Sequence, residues 1–126
     1  MSFEELYERA KAVAQERKLW RHSKVGDVGA AILTKDNHIY VGISLDMKCS
    51  VGFCAERAAA AAMLAAGENV VTKVIAVRSQ GEIIPPCGVC REFLSLLAPE
   101  NIDAEVKLSD RVVRLRELLP FEWKST

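Results

Sequence analysis

The sequence has no excess of charge of either sign, since 17 lysine and arginine residues balance 17 aspartate and glutamate residues. Binding to a nucleic-acid duplex or to an anionic membrane depends on a basic surface, so the composition favours neither partner. The sequence also has no internal repeat and no uncharged apolar run long enough to span a bilayer. We therefore expect one domain, residues 1–126, with a small or neutral ligand.

The N-terminal segment lacks the pattern of a signal peptide, because "MSFEELYERAKAVAQERK" has glutamate, arginine and lysine throughout. We accordingly expect a cytoplasmic location. The chain has four cysteine residues. In a reducing compartment such cysteines are metal ligands or redox groups more often than structural disulfides.

The spacing of apolar residues predicts the element order α-β-β-α-β-α-β-(β). The predicted helices span 3–19, 54–66 and 88–98, with a last helical turn at "RELLP". The predicted strands span 27–34 and 39–45, which form an antiparallel hairpin, then 73–79, 103–109 and 111–115. Strands separated by helices indicate parallel pairing, in a layered α/β or α+β sheet that has helices on both faces.

One constellation of residues carries chemistry. Cys54-x-Glu56 is followed, after 29 residues, by Pro86-Cys87-x-x-Cys90, and each part lies at a predicted helix start. Three thiolates can hold Zn²⁺ and leave a fourth position for water, as a catalytic site requires. Glu56 is then a carboxylate beside the metal that is not itself a ligand. This combination is typical of the zinc deaminases, with cysteine in the place of histidine.

The charge of such a site predicts a role for Arg57. Zn²⁺ with three thiolates carries a net charge of −1 and activates water poorly compared with Zn²⁺ held by neutral imidazoles. A positive group should therefore lie nearby. Two helix N-termini contribute, and we predict that Arg57 donates hydrogen bonds to one of the thiolates.

Four segments of the sequence, "VGAAIL", "CAER", "PCGVCRE" and "RELLPF", are similar in order and spacing to the small homo-oligomeric cytidine deaminases. The resemblance covers roughly Ser23 to Phe121. It implies a three-layer α/β/α fold around a five-stranded mixed sheet, one Zn²⁺ per subunit, and assembly as a tetramer or a dimer.

The resemblance also implies hydrolysis of the 4-amino group of a cytosine nucleoside to give the uracil nucleoside and ammonia. Glu56 would move protons between the attacking water, ring N3 and the leaving amine. The helix starts at Ala55 and at Pro86–Cys87 would contact the substrate through the backbone.

The segments that bind the nucleoside depart from the family pattern. "SLDM" at 44–47 replaces Asn-Val-Glu-Asn, so Ser44 and Asp46 are the predicted sugar contacts. His22 and Val25 occupy positions that are aromatic in the family, and Phe121 or Trp123 would supply an aromatic wall, either within the chain or to a neighbouring subunit. These departures resemble the blasticidin-S deaminases, although "CAER" is closer to the cytidine deaminases.

Two other interpretations of the cysteines stay open at this point. Cys87 and Cys90 alone would form a thioredoxin-like redox pair, which leaves Cys54 and Glu56 unexplained. Alternatively, Cys49 would be a fourth ligand of a structural zinc site in a binding module. We favour a free Cys49 thiol that lines the pocket or an interface.

Overall fold

The structure is a computed structural model that describes residues 1–125. Its helices are α1 (Phe3–Val13), α2 (Ala55–Ala65) and α3 (Gly88–Ser95). Its strands are β1 (Arg17–Trp20), β2 (Ser23–Thr34), β3 (Ile39–Met47), β4 (Gly52–Phe53), β5 (Val71–Arg78), β6 (Ile83–Ile84), β7 (Glu105–Lys107) and β8 (Val112–Arg114). Short 3₁₀ turns, including Pro99–Asp103 and Leu115–Leu118, connect or close these elements.

The strands form one mixed sheet in the order β4-β3-β2-β5-β7-β8. Five of them, β3, β2, β5, β7 and β8, correspond to the expected five-stranded sheet. The short strands β1, β4 and β6 were not predicted, and they extend it beside β2, β3 and β5.

The direction of the strands differs in part from the prediction. The hairpin of β2 and β3 is antiparallel as expected, and β5 and β7, which α3 separates, are parallel. However, β5 pairs antiparallel with β2. The crossover through α2 joins β3 to β5, which run in the same direction, but β2 lies between them and is antiparallel to both.

The predicted helix over 3–19 is wrong in its last third. Helix α1 ends at Val13, and residues 17–20 form the exposed edge strand β1, which pairs Arg17 with Val25 of β2. After α1 the backbone at Gln15 lies directly against Gly26 of β2, where an added Cβ would be 2.2 Å from the carbonyl oxygen of Gln15. This close crossing and the strand pairing override the helical propensity of the segment.

Helices cover both faces of the sheet, which confirms the three-layer α/β/α architecture. Helices α2 and α3 pack on one face, over a core that includes Ala30, Ile32, Val74 and Val106. Helix α1 packs on the other face, over the alternate residues of β2 and β5, such as Ala31, Leu33, Ile75 and Val77. None of the helices within residues 1–125 is both long and apolar enough to cross a membrane.

The alanine-rich helix α2 lies very close to strand β3. A Cβ on Gly42 would stand 2.3 Å from the backbone nitrogen of Ala59 and 2.8 Å from the carbonyl oxygen of Ala55. Ala59 and Ala60 are fully buried. The expectation that small side chains allow close approach is confirmed, and this contact positions the N-terminus of α2.

Asn101 joins the last turn of α3, the start of β5 and the loop that precedes β5. Its side chain is completely buried. Its Oδ1 accepts a hydrogen bond from the Val71 N–H at 2.8 Å, and its Nδ2 donates to the carbonyl oxygens of Leu94 at 2.9 Å and Asn69 at 3.1 Å. The amide therefore satisfies three buried or partly buried backbone groups.

We predict that Asn101→Ala lowers the free energy of unfolding by about 2–4 kcal/mol, because one buried N–H and two carbonyls lose their partner. Asn69→Ala is the matched control. Asn69 is exposed and makes one side-chain hydrogen bond, to Leu97, so we expect a loss of about 1 kcal/mol or less. Urea denaturation followed by circular dichroism measures both, and equal losses would contradict this role for Asn101.

Candidate metal and active site

Three cysteine thiols meet where two helices begin. Cys54 is the N-cap residue of α2, Cys87 is the N-cap residue of α3, and Cys90 follows in the first turn of α3. The Cys54 and Cys87 Sγ atoms are 3.5 Å apart, and the Cys87 and Cys90 Sγ atoms are 3.6 Å apart. All three sulfurs lie within 4.8 Å of one another. Both helix dipoles direct their positive ends at the cluster, which favours thiolates.

The spacing of the sulfurs fits a zinc ion. All three cysteines are free, and the sulfurs are well beyond the disulfide bond length of about 2.05 Å. Tetrahedral coordination with Zn–S bonds of about 2.3 Å requires sulfurs about 3.8 Å apart, close to the two distances measured. Thiolates are also the donors that Zn²⁺ prefers in such sites. Cys49 is exposed and lies outside the cluster.

Glu56 directs a buried carboxyl group at the same place. It is the second residue of α2 and is only 4% exposed. Burial raises the pKa of the Glu56 carboxyl above its ordinary value. A buried acid with a raised pKa beside thiols that can hold a metal ion is suited to proton transfer near neutral pH.

Arg57 is the cation of the cluster. Its Nη2 lies 3.9 Å from the Cys54 Sγ, within reach of a hydrogen bond to sulfur. The Cys54 sulfur in turn raises the pKa of the guanidinium, so Arg57 remains charged. Its planar group also stands over the ring of Phe53, with the guanidinium carbon 4.8 Å from the ring centroid.

A cavity of about 210 Å³ opens onto the cluster. Six of its lining residues were predicted from the sequence as ligand, catalytic or substrate-binding residues. They are Ser44, Asp46, Cys54, Ala55, Glu56 and Cys87.

The comparison with known proteins agrees with this geometry. The family model described as the cytidine and deoxycytidylate deaminase zinc-binding region matches residues 1–104. The chain belongs to that family. It is 33% identical over 100 residues to the cytidine deaminase of Halalkalibacterium halodurans, which covers 74% of each chain.

The chain also resembles a blasticidin-S deaminase and a cytidine deaminase of known structure. The blasticidin-S deaminase of Bacillus cereus is 28% identical over 107 residues, which is 76% of each chain. The crystal structure of a mutant cytidine deaminase from Mycobacterium tuberculosis superimposes with a TM-score of 0.83 and 25% identity, over 98% of each chain. Membership of the family supports a hydrolytic deaminase, and the family model's zinc-binding region together with the three-cysteine cluster suggests zinc.

Sequence reasoning missed four residues that line the cavity of this deaminase-family chain: Val28, Phe53, Ile84 and Pro85. Phe53 was detectable only as the neighbour of Cys54. It reaches the cavity because β4 pairs it with Leu45 at the end of β3. The backbone N–H of Val28 donates a hydrogen bond to the Ser44 Oγ at 3.0 Å, which links Val28 to another residue that lines the cavity.

Five predicted substrate contacts do not line this cavity within one chain, and each has another place. Pro86 is buried and its carbonyl accepts a hydrogen bond from Arg91, so the neighbouring Pro85 lines the cavity instead. Val25 is buried, at 4% exposure, where β1 and β3 flank β2. His22 lies beside a different groove, with its ring edge-to-face against Trp20.

The two C-terminal aromatics also lie apart from the cavity. Phe121 is fully exposed, with a positive φ of 55°. Trp123 is 65% exposed and its Nε1 donates to the carboxylate of Glu92 on α3. An aromatic wall from either residue is therefore incorrect within a single chain, and the alternative that they reach a neighbouring subunit stays a prediction.

We predict that the purified protein binds one zinc ion per chain and that Cys54→Ala, Cys87→Ala or Cys90→Ala each abolish stoichiometric binding, because two thiolates do not complete the site. Cys49→Ala is the matched control, since its thiol lies outside the cluster. Zinc is measured by atomic absorption after dialysis. Loss of zinc in the Cys49 variant would instead support the four-cysteine structural site.

Proposed function

We propose that this chain is a zinc-dependent deaminase that removes the 4-amino group of a cytosine nucleoside, cytidine or deoxycytidine, by hydrolysis. The products are uridine or deoxyuridine and ammonia. The observation that carries the proposal is the convergence of the Cys54, Cys87 and Cys90 thiols with the buried carboxyl of Glu56 at one cavity. The relatives named as cytidine deaminases support the same reaction class.

Cys54, Cys87 and Cys90 would hold one Zn²⁺ per subunit. When bound, zinc lowers the pKa of a coordinated water and so makes it a nucleophile at neutral pH. Burial raises the pKa of the Cys54 and Cys90 thiols above the ordinary value, so these sulfurs would become thiolates on ligation, a change that the two helix dipoles favour.

Glu56 is the group that moves protons. Its carboxylate takes one proton from the attacking water and delivers it to ring N3, then takes the second proton of the same oxygen and delivers it to the leaving amine. Burial suits the carboxyl to both directions of transfer, because its raised pKa brings proton uptake and release closer to neutral pH. The overall reaction consumes one water and releases one ammonia, so Glu56 ends each cycle in its starting state.

Backbone groups at the two helix starts orient the ring. The first N–H groups of a helix have no partner inside the helix and point outward. Those of Ala55 and Cys87 lie at the cavity, where both residues are lining residues. We assign them as hydrogen-bond donors to the substrate or to the attacking oxygen.

Arg57 balances the charge of the thiolates in this proposal. Its guanidinium lies 3.9 Å from the Cys54 sulfur, so it withdraws negative charge from a ligand that would otherwise make the metal a weak acid. A cation at this position raises the ability of the site to activate water.

Polar groups that line the cavity support this substrate class. We assign Ser44 and Asp46 as contacts to sugar hydroxyls, and the Ser44 Oγ already accepts a hydrogen bond from the Val28 N–H. A cavity of about 210 Å³ is smaller than most sites for drug-sized ligands, so it suits a small heterocycle or nucleoside. The second candidate substrate is a non-standard cytosine nucleoside or another aminated heterocycle, and the similarity to a blasticidin-S deaminase favours it.

The chain is further proposed to act as a homo-oligomer, with a tetramer favoured over a dimer. Large apolar residues are exposed close to the cysteines, with Val51 at 64% and Val89 at 58% exposure. Light scattering of the purified protein gives the number of copies. Neither a nucleic-acid polymer nor a membrane is proposed as a partner, and the cytoplasmic location stays a prediction.

We predict that Glu56→Ala retains its zinc and loses about 10²–10⁴-fold in kcat, which is the usual contribution of a general acid–base group. Glu8→Ala on the exposed side of α1 is the control and should keep wild-type activity. Ammonia release from cytidine, deoxycytidine, cytosine and blasticidin S measures turnover. Undiminished turnover in Glu56→Ala would refute the mechanism, and absence of turnover on every amine would favour a zinc-stabilised binding or thiol redox module.

We predict that Asp46→Asn raises KM for the preferred nucleoside by about tenfold, while the rate with free cytosine is nearly unchanged. The reason is that a carboxylate accepts hydrogen bonds from sugar hydroxyls more strongly than an amide does. Asp36→Asn, in the turn between β2 and β3, is the control. Equal losses on nucleoside and free base would remove Asp46 from the sugar-binding role.

A further inference from the structure

The ring of Phe53 and the guanidinium of Arg57 form a stacked pair at the edge of the metal cluster. The guanidinium carbon lies 4.8 Å from the ring centroid, within the range of a cation–π contact. Phe53 is held by the pairing of β4 with β3, opposite Leu45, and is 36% exposed. The pair therefore links the sheet edge to the first turn of α2.

The hydrogen bonds of Arg57 do not define the position of its guanidinium by themselves. The contact from Nη2 to the Cys54 Sγ is long, at 3.9 Å. The Nε atom is buried and has no hydrogen-bond partner among the described residues. A guanidinium usually gains its orientation from a two-pronged contact with a carboxylate. Here the flat face of Phe53 supplies the orienting surface.

The location of Arg57 makes such a support necessary. It lies in the first turn of α2, where the positive end of the helix dipole repels a cation. Without support, a long and flexible side chain would move its charge outward into water. The ring of Phe53 closes that route and offers an electron-rich face, and it has no polar atom that competes with the sulfur for the guanidinium.

We propose that Phe53 is a positioning residue of the metal site: its ring holds the Arg57 guanidinium against the Cys54 sulfur and thereby tunes how strongly that thiolate donates to the metal. This inference rests on the proposed function, because it assumes that the cysteines bind a metal. It assigns a task to Phe53 that is separate from any contact that its ring makes with a substrate in the cavity.

The experiment uses the full chain with Co²⁺ in place of zinc and no substrate present. Cobalt–thiolate absorption in the near ultraviolet reports how electron-rich the sulfur ligands are. Four proteins are compared with the wild type: Phe53→Leu, Phe53→Tyr, Arg57→Gln, and the double variant of Phe53→Leu with Arg57→Gln. Leucine keeps the apolar bulk and removes the π face, whereas tyrosine keeps that face.

We expect Phe53→Leu and Arg57→Gln to move the charge-transfer band to longer wavelength, since a thiolate without its cation gives up an electron more readily. Phe53→Tyr should keep the band of the wild type. In the double variant, Phe53→Leu should add no further shift, because its effect passes through Arg57. With zinc restored, Phe53→Leu should lower kcat about three- to tenfold, which is the range that a cation–π contact provides.

Three results would overturn the inference. The first is an unchanged band in Phe53→Leu while Arg57→Gln shifts it, which removes Phe53 alone and leaves the proposed function intact. The second is an equal shift from Phe53→Leu with and without Arg57, which assigns the effect to general packing. The third is a wild-type protein that binds no Co²⁺, which rejects the metal site and the proposed function together.

Discussion

The contact between helix α2 and Gly42 of strand β3 is the constraint on which the site depends. At this point the helix backbone lies so close to the strand that a methyl group would not fit. The contact positions the first turn of α2, and therefore Cys54 and Glu56, at the edge of the sheet beside the start of α3. Glu56, in the same turn, is buried, and that burial raises the pKa of its carboxyl.

The second organising feature is the balance of charge around three thiols. Two helix N-termini and one arginine face sulfurs that would carry three negative charges when they bind a metal. A helix start favours the thiolates but repels the arginine, so the two sources of positive charge oppose each other. The aromatic ring of Phe53 stands where it relieves this opposition. The electrostatics of the cluster therefore involve two residues, Arg57 and Phe53, beyond the three cysteines and Glu56.

Regular patterns in the sequence predicted the elements that carry the site better than those that surround it. The helix over 54–66, the hairpin and the Cys-x-x-Cys helix follow from local signals, and their residues lie where the pattern placed them. The end of α1 was not predicted correctly, because residues 17–20 pair with β2 although their sequence favours a helix. The antiparallel pairing of β5 with β2 was not predicted either. Strand β2 lies between β3 and β5, the two strands that the crossover through α2 joins, and no local sequence pattern indicates such an insertion.

The sequence by itself determined the family, the three-layer architecture and the residues that we propose as ligands and acid, because two short motifs at helix starts group these residues through local spacing alone. Only the tertiary structure decided what lines the cavity. It placed Phe53, Val28 and Pro85 there and moved His22, Val25 and Phe121 away. These positions depend on which distant segments meet at a sheet edge, on strand register and on the close approach at Gly42. Such long-range packing depends on the whole chain and is not indicated by any local periodicity in the sequence.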